Sequence, residues 1–181
     1  MSSPERREQL LDAVLSLILR TGSTHVTVES AAVAAGVSKA LLYAHFQDLD
    51  DLLAALYFRE TNAVSQAVTV ALGKTTADQD RVAVLVRSYF DAVEERGAVL
   101  ALLTAPGAVK GGAETDLGPR FAGVLLIGFL GMDSATALAG GHLLLGLLTS
   151  GSAALRSEPE RRNDVERLVV AAVRGLLPPR D

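Results

Sequence analysis

The stretch Thr27–Phe46, TVESAAVAAGVSKALLYAHF, decides how this chain is read. It has the form of two short helices around a tight turn. Thr27 is placed to cap the first helix, its hydroxyl accepting from an otherwise orphaned backbone N–H, and Glu29 in the first turn faces the positive end of the helix dipole. Val28, Ala31, Ala32 and Ala35 are the apolar and small positions of a helix ending near Ala35. Gly36 supplies the freedom for a sharp turn, and Val37 fills the apolar angle behind it. Ser38 caps the chain again, and Ser38 to His45 is predicted as a second helix that buries Leu42 and Phe46. Helix, glycine turn and capped helix make the helix-turn-helix pattern, whose second helix enters the DNA major groove.

At these residues the run resembles the DNA-binding end of the TetR family of bacterial repressors. That family's pattern is Thr, a helix with an Ile-Ala pair, Ala-Gly-Val-Ser and a Leu-Tyr-x-His-Phe ending. The matching residues here are Thr27, Ala31-Ala32, Ala35-Gly36-Val37-Ser38 and Leu42-Tyr43-Ala44-His45-Phe46, with a helix opening Asp50-Asp51-Leu52-Leu53 at the expected distance. The resemblance covers roughly Leu10 to Leu56. An isolated AGVS is weak; the whole ordered set is not.

Around this motif lie 181 residues, 49% apolar and only 4% aromatic, dominated by Ala, Leu, Val and Gly. Such a chain can bury a real core. β-branched alternation is scarce, so the expected class is all-α; the resemblance implies a three-helix head, residues 1–50, and a helical ligand-binding and dimerisation bundle, residues 51–181. The absence of cysteine excludes disulfides, a thiolate nucleophile and a cysteine metal site. MSSPERREQLL lacks an apolar run of signal-peptide length, so a cytoplasmic location is expected.

The charge does not fit a strong nucleic-acid binder. The whole chain carries −4. Residues 1–60 hold five cations (Arg6, Arg7, Arg20, Lys39 and Arg59) against eight carboxylates, a net −3. Phosphate contacts supply most non-specific affinity, so the head is expected to bind weakly or through few contacts.

Pro4 to Arg20 is predicted as the first helix, with an apolar stripe from Leu10 to Ile18 and a stop at Gly22. Arg6 and Arg7 either reach phosphate or are solvated at a frayed end. A long helix from Asp50 to about Leu72 gives Leu52, Leu53, Leu56 and Tyr57 to the head and Val64 to Ala71 to the body. Gly73-Lys74-Thr75 ends like a phosphate-binding loop, but Val68 stands where the first glycine is required and no strand precedes it. Asp80–Arg96 is amphipathic, Ala98–Ala105 a short apolar helix, and Pro106–Pro119 irregular, either a flap beside a cavity or a linker. Apolar Arg120–Leu130 follows, and Glu160–Leu177 closes the chain.

Ala135–Leu155 has 21 residues without a fixed charge, the length of a membrane span. Glycine, threonine, serine and His142 dilute it, and no basic or aromatic girdle brackets both ends. Burial in a soluble protein, partly by a second copy of itself, is the preferred reading; no membrane is expected. Ala135, Ala139, Gly146, Ser150 and Ala153 fall along one side and permit close helix approach. The resemblance implies a homodimer through Ala135–Leu155 and Glu160–Leu177.

Helix-turn-helix geometry aims Ser38, Lys39, Ala40 and Leu41 at base edges, with flanking residues on phosphate. Lys39 is the second helix's one cation, able to donate to guanine or phosphate. The resemblance implies phosphate contacts from Thr27, Tyr43 and His45; packing under the head is the alternative for the last two. Two departures stand out. Leu41 replaces a usual Thr and offers only apolar contact. Leu49 replaces a usual Lys and sits among Asp48, Asp50 and Asp51, which repel phosphate.

The resemblance further implies a small molecule that enters the body, shifts the Asp50–Leu72 helix and releases a palindromic operator. The available lining, from Asp80–Arg96, Ala98–Ala105, Arg120–Leu130 and Ala135–Leu155, favours a hydrophobic effector, with Tyr89, Thr104 and His142 as polar contacts. His142 shares a stripe with Leu138, Leu145 and Thr149, which fits a core or interface residue as well as a ligand contact. No cofactor, metal site or catalytic residue is expected: the histidines are scattered, and neither G-x-S-x-G nor H-E-x-x-H occurs. The rival reading is a dimeric sensor or partner-binding module of the same build with weak or lost DNA binding.

Overall fold

The computed structural model describes residues 2–76, 80–103 and 117–177, and all regular structure among them is helical. Contacts divide the chain into two compact units, Met1–Asn62 with Arg96–Glu114 and Ala63–Glu95 with Thr115–Asp181.

The first unit opens with α1, Ser3–Thr21. Ser2 and Glu5 form a reciprocal capping box, and the helix stops at Gly22, whose φ of 65° is left-handed. The expected stripe is inward: Leu10, Leu11, Val14, Leu17 and Ile18 are buried. α2, Val28–Ala35, and α3, Lys39–Tyr43, follow. α4, Leu49–Gly73, contributes Leu52, Leu53 and Leu56 to the same core, beside Leu42 and Phe46. Each fully buried leucine contributes about 2 kcal/mol through apolar surface removed from water.

A charged seam stitches α1 to α4. The Arg59 guanidinium donates to Asp12 at 2.8 Å and Glu8 at 3.2 Å on α1, and to its neighbour Glu60 at 3.0 Å. Glu60 is only 7% exposed and also lies 3.7 Å from Arg96. Burial disfavours the Arg59 charge, but hydrogen bonds to Asp12, Glu8 and Glu60 outweigh it and hold its pKa above the ordinary value.

The apolar segment Ala98–Ala105 is predicted to line the body, but α6, Gly97–Leu103, buries Val99 and Leu103 in the core of the first unit. Their spacing of four puts both on one face of the helix, and that face meets α1. The first compact unit runs on to Asn62 and takes in α6.

The second unit holds the end of α4 with α5 (Arg81–Glu95), α7 (Leu117–Leu130), α8 (Ala137–Ser157) and α9 (Arg162–Leu176), a 3₁₀ turn, Pro159–Arg161, leading into the last. Val68, Leu72, Leu85, Phe90, Leu126, Leu144 and Val173 lie in its core. α7 and α8 approach unusually closely. A Cβ on Gly141 would strike the Pro119 carbonyl, and one on Gly123 would come within 2.7 Å of the Ala137 carbonyl oxygen. α9 is ion-paired to α5 through Arg162 with Asp91 and Glu94, and its Arg174 pairs with Asp80 just before α5.

Boundaries moved by a few residues. α7 starts at Leu117, three residues ahead of the expected Arg120, so Leu117–Pro119 is helical and not irregular; the rest of that stretch lies outside the described residues. α8 runs Ala137–Ser157 against the expected Ala135–Leu155, because Asp133 takes the N–H groups of Ala135 and Thr136 and holds them ahead of the helix. By length and composition α8 could cross a membrane, with mean hydropathy 1.4, and 33% of that window is buried inside the chain. Its outward face carries Leu138, Ala139, His142, Leu143, Gly146 and Ser150. On α9, Val169 and Val173 are inward, whereas Leu168 and Ala172 point out; Leu168 is 67% exposed.

Candidate nucleic-acid interface

The interface is built from two caps and one glycine. Thr27 Oγ1 accepts from Ser30 N–H at 3.1 Å, and Ser30 Oγ accepts from Thr27 N–H at 2.9 Å, closing a box around the start of α2. At the other end Gly36 adopts φ 64°. Its N–H reaches the Val33 carbonyl at 3.1 Å and the Val37 N–H reaches Ala32 at 3.0 Å, the paired bonds of a Schellman motif. The chain reverses within three residues, and Ser38 Oγ then accepts from Leu41 N–H at 3.2 Å to start α3.

α3 is shorter than predicted. It spans Lys39–Tyr43 with Ser38 and Ala44 as caps, so His45 lies beyond it. Leu42 is fully buried and Phe46 nearly so, which anchors the helix from below. Ser38, Lys39, Ala40 and Tyr43 are exposed on its other side, Tyr43 to 53%. Leu41 and His45 are half-buried, and Thr27 is exposed at the start of α2. The seven residues singled out in the sequence thus lie on or beside one short helix-turn unit. A rigid, capped helix with a polar outer face over an apolar anchor has the geometry of a major-groove reader.

Three features were not anticipated. The Lys39 ammonium lies 3.4 Å from Glu29 of α2, a pair ten residues apart across the turn that no helical period signals. The Arg7 guanidinium stacks 4.6 Å above the Phe46 ring, and Arg6 donates to Gln9 at 2.8 Å. Val33 is 76% exposed on α2; its position opposite Ala31 and Ala35 was the available clue.

The start of α4 is closed by its own carboxylates. Asp48 Oδ1 accepts from Asp51 N–H at 2.8 Å, and Asp51 Oδ2 accepts from Gln47 N–H at 3.0 Å. These N–H groups would otherwise be available to an anion.

Of the residues named for a small-molecule site, Tyr89 on α5 is half-buried against the second core, its ring edge-on to Phe90 at 6.2 Å. His142 lies on the exposed side of α8, with Nδ1 2.9 Å from the Leu138 carbonyl oxygen. Thr104 lies outside the described residues.

The capped turn and the outward face of α3 define a protein of the helix-turn-helix class. Residues 10–56 match the model of the family described as bacterial regulatory proteins, tetR family. The chain is 35% identical over 89 residues to the HTH-type transcriptional regulator BetI of Brucella anthropi, covering 49% of this chain and 46% of that protein. It is 34% identical over 90 residues to the HTH-type transcriptional activator FasR of Mycolicibacterium smegmatis, covering 50% and 41%. The chain thus spans about half the length of the curated relatives it matches. The crystal structure of the multidrug binding protein EbrR complexed with imidazole superposes with a TM-score of 0.73 at 22% identity, over 98% of this chain and 93% of that one, which establishes the shared fold.

Proposed function

We propose that this chain is a dimeric, ligand-responsive transcription regulator of the bacterial cytoplasm, a repressor that leaves a near-palindromic operator when a small hydrophobic molecule binds. The observation that carries the reading is the outward face of α3, with Ser38, Lys39, Ala40 and Tyr43 exposed above buried Leu42 and Phe46. Side chains at the start of α3 read base edges, while Thr27, Tyr43 and His45 meet phosphate. One α3 spans only a few base pairs, so two-fold symmetry is needed to set two of them about 34 Å apart.

The dimer buries the outer faces of α8 and α9. Leu138, Leu143 and Leu168 are large apolar side chains left exposed there, and Ala139, Gly146 and Ser150 allow a second helix to approach. Covering by a copy of itself also removes the need for a membrane.

The effector binds in the body, with Tyr89 and His142 as its polar contacts. EbrR, which shares the fold, is described as a multidrug binding protein and was crystallised with imidazole. The effector must bind the DNA-incompetent state more tightly, and DNA then weakens effector binding by the same factor. BetI is named a regulator and FasR an activator. A gel shift of the full chain on the intergenic DNA beside its own gene tests the reading: a discrete, saturable shift is expected, and none at any protein concentration contradicts it.

A second reading has its own observation. Asp48, Asp50 and Asp51 surround the start of α4, and the cation of α3 is already paired. A dimeric sensor that has lost DNA binding would show this arrangement and fail the same gel shift.

A further inference from the structure

The pair between Glu29 and Lys39 gives the reading head a control on its own charge; this rests on the DNA-binding reading above. Lys39 is the first residue of α3 and its one cation, and Glu29 stands in the first turn of α2. Their charged atoms are 3.4 Å apart, with side chains 54% and 72% exposed. Among the described residues, neither has another ion-pair partner. A pair this exposed is weak and breaks readily, so it acts as competition and not as a lock.

We propose that Glu29 is a specificity-determining residue: an intramolecular rival to backbone phosphate for the Lys39 ammonium. Any duplex offers Lys39 a phosphate oxygen, so an unopposed Lys39 raises affinity for every sequence alike. With Glu29 beside it, that indiscriminate contact must first displace a carboxylate already in place. The head then gains less from phosphate and depends more on contacts that only the right bases supply. Glu29 does not have to touch DNA for this. It positions Lys39 and sets the cost of moving it.

The test separates an effect through Lys39 from simple repulsion of DNA by a carboxylate. Binding of the full chain is measured by fluorescence anisotropy across a salt series, on an unselected pool of duplexes about 30 base pairs long, enough for two half-sites one turn apart, and on duplexes enriched from it by the wild-type chain. Glu29→Gln is expected to tighten binding to the unselected pool about twofold to fivefold for each head, the range for one exposed pair. It should steepen the log–log salt slope by about one per head, about two for the dimer, as each Lys39 engages one more phosphate. Preference for the enriched duplexes should fall correspondingly. All three changes should vanish when Lys39→Gln is added.

Changes that persist undiminished in the double variant would show Glu29 repelling DNA directly and overturn the proposal. So would a Glu29→Gln chain indistinguishable from wild type on both duplex sets. A wild-type chain that enriches no duplex removes the DNA-binding reading itself, and this inference falls with it.

Discussion

Gly36 is the residue on which the direction of α3 depends. Its φ of 64° is a conformation that L side chains rarely adopt, and a Cβ there would meet nothing within 4 Å. Gly36→Ala therefore costs conformational strain alone, about 1 kcal/mol, visible as a lowered melting temperature without loss of helix. Tyr43 makes the opposite case. Its side chain is exposed, so Tyr43→Phe should leave the melting temperature unchanged and weaken DNA binding about twofold to tenfold, the worth of one hydrogen bond. A variant that instead loses stability would assign the hydroxyl to the fold.

At the scale of elements, the packing of α7 on α8 offers a sharp contrast between two glycines. Gly141→Ala drives a methyl into the backbone of Pro119 and Gly123, and the two helices must separate. Gly128 on α7 faces open space, so Gly128→Ala should stabilise by up to about 1 kcal/mol through helix propensity. Denaturant titration of both variants checks the pair: a large loss for the first and a small gain for the second. Ahead of α8, hydrogen bonds from the Thr136 hydroxyl and backbone N–H groups hold the Asp133 carboxyl below its ordinary pKa. Its folded value is depressed, so its stabilisation is present above the ordinary carboxylate range and is lost as pH falls through the depressed value. Asp133→Asn should flatten that part of an acid-unfolding curve.

What could be read without coordinates divides along the same scale. Caps and turns are local chemistry: Thr27, Gly36 and Ser38 announce themselves by residue type, and each stands where it was expected. The core faces of α1 and α5 followed from helical spacing. Partners distant in sequence had no such signal. GAVLALL is apolar on nearly every side, and nothing in it says which core α6 will join. The clasp of Glu60 by Arg59 and Arg96 and the reach of Lys39 to Glu29 depend on tertiary placement. For the proposed small-molecule site only residue types were legible, since polar groups in apolar helices do not declare whether they face a cavity or an interface.

For the whole molecule, the outer faces of α8 and α9 carry the proposed dimer, and that proposal can fail cleanly. Leu143 and Leu168 are exposed in the single chain, so glutamate at both should not unfold a protomer. Light scattering without detergent should report a dimer for the wild type and a monomer for the double variant, with DNA binding weakened at the same protein concentration. Wild-type protein that stays with membranes on fractionation would instead assign α8 to a bilayer.

The most direct trial of α3 as a groove reader with a poor grip on phosphate is a salt titration of wild-type binding to its own enriched duplex. Saturable, sequence-selective binding is expected, with a log–log slope shallower than the release of about six counterions would give. Affinity no better than for unselected duplex at every salt concentration, or a slope steeper than that limit, would contradict it.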